Sequence, residues 1–165
     1  MMSHPENTLY PQAFPMTFEE VESFLALPLI AKLSSHNKDG TIHTVPIWFM
    51  YQNGEILLGT QEISQKIQNI KRDSRVTVMV DTTEPRLKGV MVYGNAKLEY
   101  EDVIPTRISI FQKYLGPEGA PELAKKLANT WTPVVIRIKP DQIISFDYSK
   151  GFGLGSKPIT SEIQI

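Results

Sequence analysis

At 165 residues and 41% hydrophobic content, the chain is sized for one domain built around one core. A net charge of −1 leaves no basic face of the kind that wraps nucleic acid or adheres to anionic lipid. The lack of cysteine excludes disulfides, thiolate metal sites and cysteine nucleophiles in one step.

The opening MMSHPENTLYPQ is polar and broken by proline, where a secretory leader needs a basic patch and an apolar run, so residues 1–16 read as a polar arm. No stretch approaches the roughly 20 apolar residues of a bilayer span. The expectation is a soluble, cytoplasmic protein. Thr17-Phe18-Glu19-Glu20 has the spacing of a capping box, and Phe18, Val21, Phe24 and Leu25 follow at helical spacing. A short amphipathic helix is predicted to about Ala26, stopped by Pro28. The acidic pairs Glu19-Glu20 and Glu101-Asp102 both sit at helix starts, where they offset the dipole and read as caps rather than catalysts.

Strands are predicted over Leu29 to His36, Thr41 to Tyr51 and Glu55 to Thr60, joined by turns at Asp39-Gly40 and Asn53-Gly54. A two-residue turn at Asp39-Gly40 sets 38 against 41, 37 against 42 and His36 against His43. Two facing imidazoles lack the third ligand that a metal site needs, so both read as strand histidines and no metal is expected. In HTVPIWFMY, Val45, Ile47 and Phe49 point one way while Pro46, Trp48 and Met50 point the other. A strand apolar on both faces needs a second cover, which a second copy of the chain or a flat apolar ligand supplies. Trp48 is then expected in a dimer core. Pro46 removes one ladder donor, leaving backbone groups free to read a polar ring edge.

The stretch GTQEISQKIQNIKRD, residues 59–73, runs from a strand into a helix over about 64–72 with Ile63, Ile67 and Ile70 on one face. Its first turn carries Thr60, Ser64 and Lys66. Ser64 reads as an ordinary N-cap beside a solvated lysine, or the hydroxyls and the cation join the unpaired first-turn amides as a phosphate seat. Two further strands follow at Arg75 to Thr82 and Lys88 to Tyr100, with Gly94 marking a bend or a close backbone approach. Asp102 to Asn129 reads as a helix in two pieces, broken within GPEGAP where Gly119 and Pro121 end one and start the next. Thr132 to Tyr148 returns to strand with a bulge or bend at Pro140-Asp141, and residues 149–165 form a glycine-rich tail, either folded over a neighbouring subunit or mobile. Trp131 opens the last strand, suited to core or interface packing or to stacking on a ligand. Six short strands with helices at the sides predict a mainly β, antiparallel barrel.

A doubly apolar strand lying one hairpin from a phosphate seat suits a ligand with a flat ring at one end and a phosphate at the other, such as flavin mononucleotide. The series DGTIHTVPIWFMYQNGEILLGT, SQKIQNIKRDSRVTVMVD and VMVYGNAKLE resembles the FMN-binding split-barrel family of pyridoxamine 5′-phosphate oxidase-like proteins, over roughly residues 17–148. That resemblance implies a six-stranded antiparallel split β-barrel with flanking helices, paired into a homodimer with cofactor sites in the interface. It implies that the backbone of Val45, Pro46, Ile47 and Trp48 lies along the isoalloxazine ring and that His43 is near it. Thr60 and Ser64 then bond phosphate or ribityl oxygens, Gln65 sits in the same turn, and Lys66 pairs with the phosphate. Asn69 and Arg72 fit the pattern in a structural role.

Two departures matter. Gln65 stands where proteins that oxidise pyridoxamine phosphate carry arginine, and no Arg-x-His segment occurs, which argues against vitamin B6 oxidation. The expected activity is hydride transfer to or from a small organic substrate with FMN as cofactor. The alternatives are an F420-dependent reductase, or a flavin or haem carrier or sensor without turnover. A bound flavin also explains why no protein nucleophile is visible, since the cofactor carries the chemistry.

Overall fold

Thr17 Oγ1 accepts from Glu20 N at 3.2 Å while Thr17 N donates to Glu20 Oε2 at 2.7 Å, so the capping box forms and starts helix α1 (Phe18–Leu25). The computed structural model describes residues 14–150. Phe14 bridges Asp147, and Met16 N donates to Ser145 Oγ at 2.9 Å, so the end of the expected arm is pinned to the last strand. The remainder of that arm and the glycine-rich tail lie outside the described residues.

Among the described residues seven strands, not six, form one antiparallel sheet: β1 (Ala31–His36), β2 (Ile42–Ile47), β3 (Phe49–Gln52), β4 (Glu55–Gln61), β5 (Arg75–Thr82), β6 (Lys88–Glu99) and β7 (Pro133–Asp147). Two more helices, α2 (Gln65–Arg72) and α3 (Val103–Thr130), flank it. The sheet order is β2-β1-β5-β6-β7-β4-β3. The extra strand arises because the run expected over 41–51 is parted at Trp48. Its first half pairs with β1 and its second half with β4. These are the two opposite edges of the sheet, joined through one residue, so the sheet must curl until its edges meet. No helix among the described residues is long and apolar enough to cross a membrane.

The concave face buries Leu33, Phe49, Ile56, Leu58, Val78, Val92 and Ile136. A second cluster of Leu57, Val135, Ile110, Phe111, Ala120 and Ala124 lies on the other face, under α3. That helix is broken at Gly116, whose φ of +75° favours glycine, and Pro117 follows it. Gly119 and Pro121, the expected break, lie inside the second piece. The bend at Gly94 and the bulge at Pro140-Asp141 are one feature: Tyr93 faces Gln142 and Gly94 faces Pro140, leaving Asp141 as the extra residue. A methyl group on Gly94 would sit 2.5 Å from the Lys139 carbonyl oxygen, so only glycine lets the two backbones approach.

The parting at Trp48 is sealed from α3. Trp48 stacks on Tyr114 with ring centroids 4.7 Å apart and 6° between planes, and it meets Phe111 edge-on at 5.8 Å. Met50 packs into the same cluster. Helix α3 therefore covers Trp48 and Met50 from one side, whereas Pro46 and Ile42, the latter 56% exposed, are left uncovered among the described residues. The Tyr114 hydroxyl accepts from Phe49 N at 3.1 Å and donates to Leu29 O at 2.7 Å. Lys113 Nζ donates to Leu25 O at 2.8 Å and to Phe49 O at 3.3 Å, with the Phe49 ring 3.6 Å away. Side chains thus stand in for the ladder that β3 lacks at this edge.

Burial pulls the Lys113 ammonium down to about 8 from an ordinary 10.5. Between those values the unfolded chain holds more protons than the folded one, so stability rises with pH through the window. Thermal midpoints of the wild type and Lys113→Met, measured at pH 7 and at pH 10, are expected to show a wild-type gain that the variant lacks. Parallel pH profiles would contradict it.

Candidate functional site

Strand β4 ends at Gln61, α2 begins at Gln65, and the turn between them gathers the hydroxyls singled out by sequence. Ser64 is the N-cap residue with extended backbone, yet its side chain makes no capping bond. Its Oγ lies instead 3.4 Å from Oγ1 of the buried Thr60. The Ser64 carbonyl accepts from Ile67 N at 3.0 Å and from Gln68 N at 3.4 Å. The Gln65 and Lys66 amides before these have no acceptor among the described residues. Lys66 is half-buried, burial lowers its pKa, and its ammonium has no carboxylate or carbonyl partner among the described residues. Free amides, a hydroxyl held only by a long bond to Thr60 and an unpaired ammonium thus meet at one helix start, which is the donor set for a phosphate or another oxyanion.

Asn69 holds this turn in place. It is fully buried, and Nδ2 donates to Ser35 Oγ at 3.1 Å and to Asn37 Oδ1 at 2.9 Å. Its Oδ1 accepts from Gln65 Nε2 at 2.9 Å and from Arg72 Nη2 at 3.1 Å. Arg72 Nη2 also donates to His36 O at 2.7 Å. Asn69 thus fills both donor and both acceptor positions and clamps α2 to the β1–β2 hairpin, the structural role expected of it.

The hairpin itself departs from expectation. Asn37 N donates to Thr41 O at 2.9 Å, Gly40 N donates to Asn37 O at 3.1 Å, and Gly40 has φ +86°. Lys38, Asp39 and Gly40 therefore form a three-residue loop rather than a two-residue turn. Asp39 Oδ1 favours it by accepting from Thr41 N at 3.0 Å and Thr41 Oγ1 at 2.6 Å. The added loop residue shifts the register by one, so His43 faces Ser35 and His36 faces Ile42. The two imidazoles consequently lie on opposite faces of the hairpin.

The eight candidate residues fall into two groups. Thr60, Ser64, Gln65 and Lys66 are brought together in the turn. Val45, Pro46 and Ile47 lie along β2, with Trp48 just beyond its end, and run away from it, because β2 meets the α2 side of the hairpin at its 42–43 end. Val45 and Ile47 pack on the concave core and Pro46 is exposed. His43, with Asn37, Lys38, Asp39 and Gln65, lines a cavity of about 420 Å³ beside the turn. Sequence reasoning missed this closeness of His43 to Gln65 because it follows from the register; the Asp39-x-Thr41 spacing was the available signal.

Ile63 was expected on the buried face with Ile67 and Ile70, but it precedes the helix and is 72% exposed. Glu62 N donates to Thr132 O at 3.0 Å, which brings the chain around Trp131, itself exposed, next to the turn. Asp102 also departs from its expected role: it has φ +52° and makes no side-chain cap bond to α3.

Residues 17–145 match the family model described as pyridoxamine 5′-phosphate oxidase. No curated protein matches the chain. Among solved structures, it is similar to a conserved hypothetical protein of Mycobacterium tuberculosis, at 26% identity and TM-score 0.73, covering 86% of this chain and 91% of that one. An F420 reductase shares the fold at 23% identity and TM-score 0.64, with 74% of this chain and 94% of that one covered. So does the haem storage protein HutZ of Vibrio cholerae, at 14% identity and TM-score 0.63, with 78% and 94% covered. The family-model match spans most of the described residues, and the curled antiparallel sheet with α2 between β4 and β5 agrees with it: the chain belongs to the pyridoxamine 5′-phosphate oxidase family.

Proposed function

We propose that this protein is an FMN-dependent oxidoreductase, acting as a homodimer and passing a hydride between the flavin and a small organic substrate. The observation that carries the reading is the half-buried Lys66 ammonium without a partner among the described residues, set beside Ser64 and the free amides of α2. A cation partly withdrawn from water is stabilised by an anion, and a phosphate monoester takes up a lysine, a hydroxyl and two backbone amides at once. FMN, when bound, supplies the hydride chemistry. The chain's own residues anchor and orient: Lys66 and Ser64 hold the phosphate, Asn69 fixes their turn against the hairpin, and β2 from His43 to Pro46 offers a surface for the ring.

In this reading the uncovered Ile42 and Pro46 on edge strand β2 are buried against a second copy of the chain. Sedimentation of the purified protein is expected to give a dimer across the micromolar range, and a stable monomer would count against it. A second reading is supported by the F420 reductase among the fold neighbours, namely that the deazaflavin F420 occupies the same seat. HutZ supports a third, a carrier without turnover. Visible absorption of freshly purified protein, followed by mass spectrometry of the released ligand, separates the cofactors. Reduction of the bound cofactor by a nicotinamide donor and its reoxidation by substrate separates an enzyme from a carrier. A colourless protein that takes up neither FMN nor F420 would end the flavin and deazaflavin readings.

A further inference from the structure

Arg107 on α3 heads the largest fully buried side chains of the described residues, with 1% of its surface exposed. Its Nε and Nη1 are buried without a hydrogen-bond partner. The Phe111 ring lies 5.5 Å from the guanidinium carbon. Strand β4 passes close by at Gly59: a methyl group there would lie 3.4 Å from Arg107 Cγ, 3.5 Å from Nε and 3.7 Å from Ile110 Cδ1. An aromatic face, an aliphatic side chain and the backbone of Gly59 are thus among its neighbours.

Guanidinium does not lose its proton in proteins, so Arg107 carries a full charge here. An ion removed from water without a partner costs several kcal/mol. No ion pair among the described residues includes Arg107, and its aromatic neighbour returns only a fraction of the lost hydration. The helix and the strand would pack better around an aliphatic side chain, unless a negative charge completes the site.

We propose that Arg107 anchors an internal site for one small monovalent anion of the halide class, held between α3 and β4. The enclosure sets the size: with 1% of the residue exposed, neither a second copy of the chain nor a large organic anion reaches the buried N–H groups. The charge is set by neutrality, since one guanidinium balances one negative charge and a dianion would leave an excess in an apolar wall. The site stands apart from the proposed phosphate seat, because Gly59 faces α3 whereas the next residue, Thr60, faces the concave side of the sheet. Its occupant would add to stability rather than to chemistry.

The full-length protein tests this. Thermal unfolding is measured at constant ionic strength as sodium gluconate is replaced by sodium chloride or bromide. The midpoint of the wild type is expected to rise saturably, by about 3 °C or more. Arg107→Met is expected to lose that rise while keeping any general salt effect. Because that variant can fail to fold, crystals of the wild type grown in bromide provide an independent readout. Anomalous density within hydrogen-bond reach of Nε or Nη1 supports the site. Identical wild-type midpoints in all three salts, or an ordered water without anomalous signal beside Arg107, would overturn it.

Discussion

Lys66→Ala is expected to weaken FMN binding by about 1.5–3 kcal/mol, roughly 10- to 150-fold, with the oligomeric state unchanged. The magnitude follows from removing a charged hydrogen bond, and the half-buried position of Lys66 shields that bond from competing water. Riboflavin gives the control, since it has the same ring and no phosphate. Its affinity, followed by flavin fluorescence quenching, should be nearly equal in the two proteins. Equal FMN affinity would remove Lys66 from the seat, and a parallel loss for riboflavin would show damage to the turn rather than to a phosphate contact.

Tyr114→Phe should lower unfolding stability by about 2–4 kcal/mol, read as a reduced urea midpoint with unchanged slope. The ring stays and can still stack on Trp48, so the substitution isolates the hydroxyl. Without it, Phe49 N and Leu29 O lose partners at 3.1 and 2.7 Å, and each orphaned backbone group costs about 1–3 kcal/mol. A loss below about 1 kcal/mol would mean that water enters and satisfies both groups, so that the seal is not what holds β3 at the edge.

Much of the fold was legible because local chemistry agreed with the global answer. The Thr17 capping box, the strands at 75–82 and 88–99, and the Gly94 approach formed as their residue types require. What sequence could not give was decided by tertiary pairing. Nothing in HTVPIWFMY marks Trp48 as the point where one strand becomes two, since the parting depends on β1 and β4 each standing next to an opposite edge of the sheet. The histidine register turned on a single loop residue, and period-2 geometry converts that slip into a change of face. For the candidate site, the turn residues Thr60, Ser64, Gln65 and Lys66 were legible because they are contiguous along a helix start. The stabilising bonds of Asn69 come from the hairpin at 35–37, and the isolation of Arg107 comes from β4, so neither could be read from neighbours in sequence.

The Asn69 clamp also defines what an engineer would have to move. Because one side chain ties Gln65 and Arg72 to Ser35 and Asn37, the turn that opens α2 is not a portable peptide. Transplanting residues 59–73 alone into another scaffold would leave an amide group with both its N–H donors unpaired inside the host. The smallest graft that keeps its shape carries the tip of the first hairpin with it.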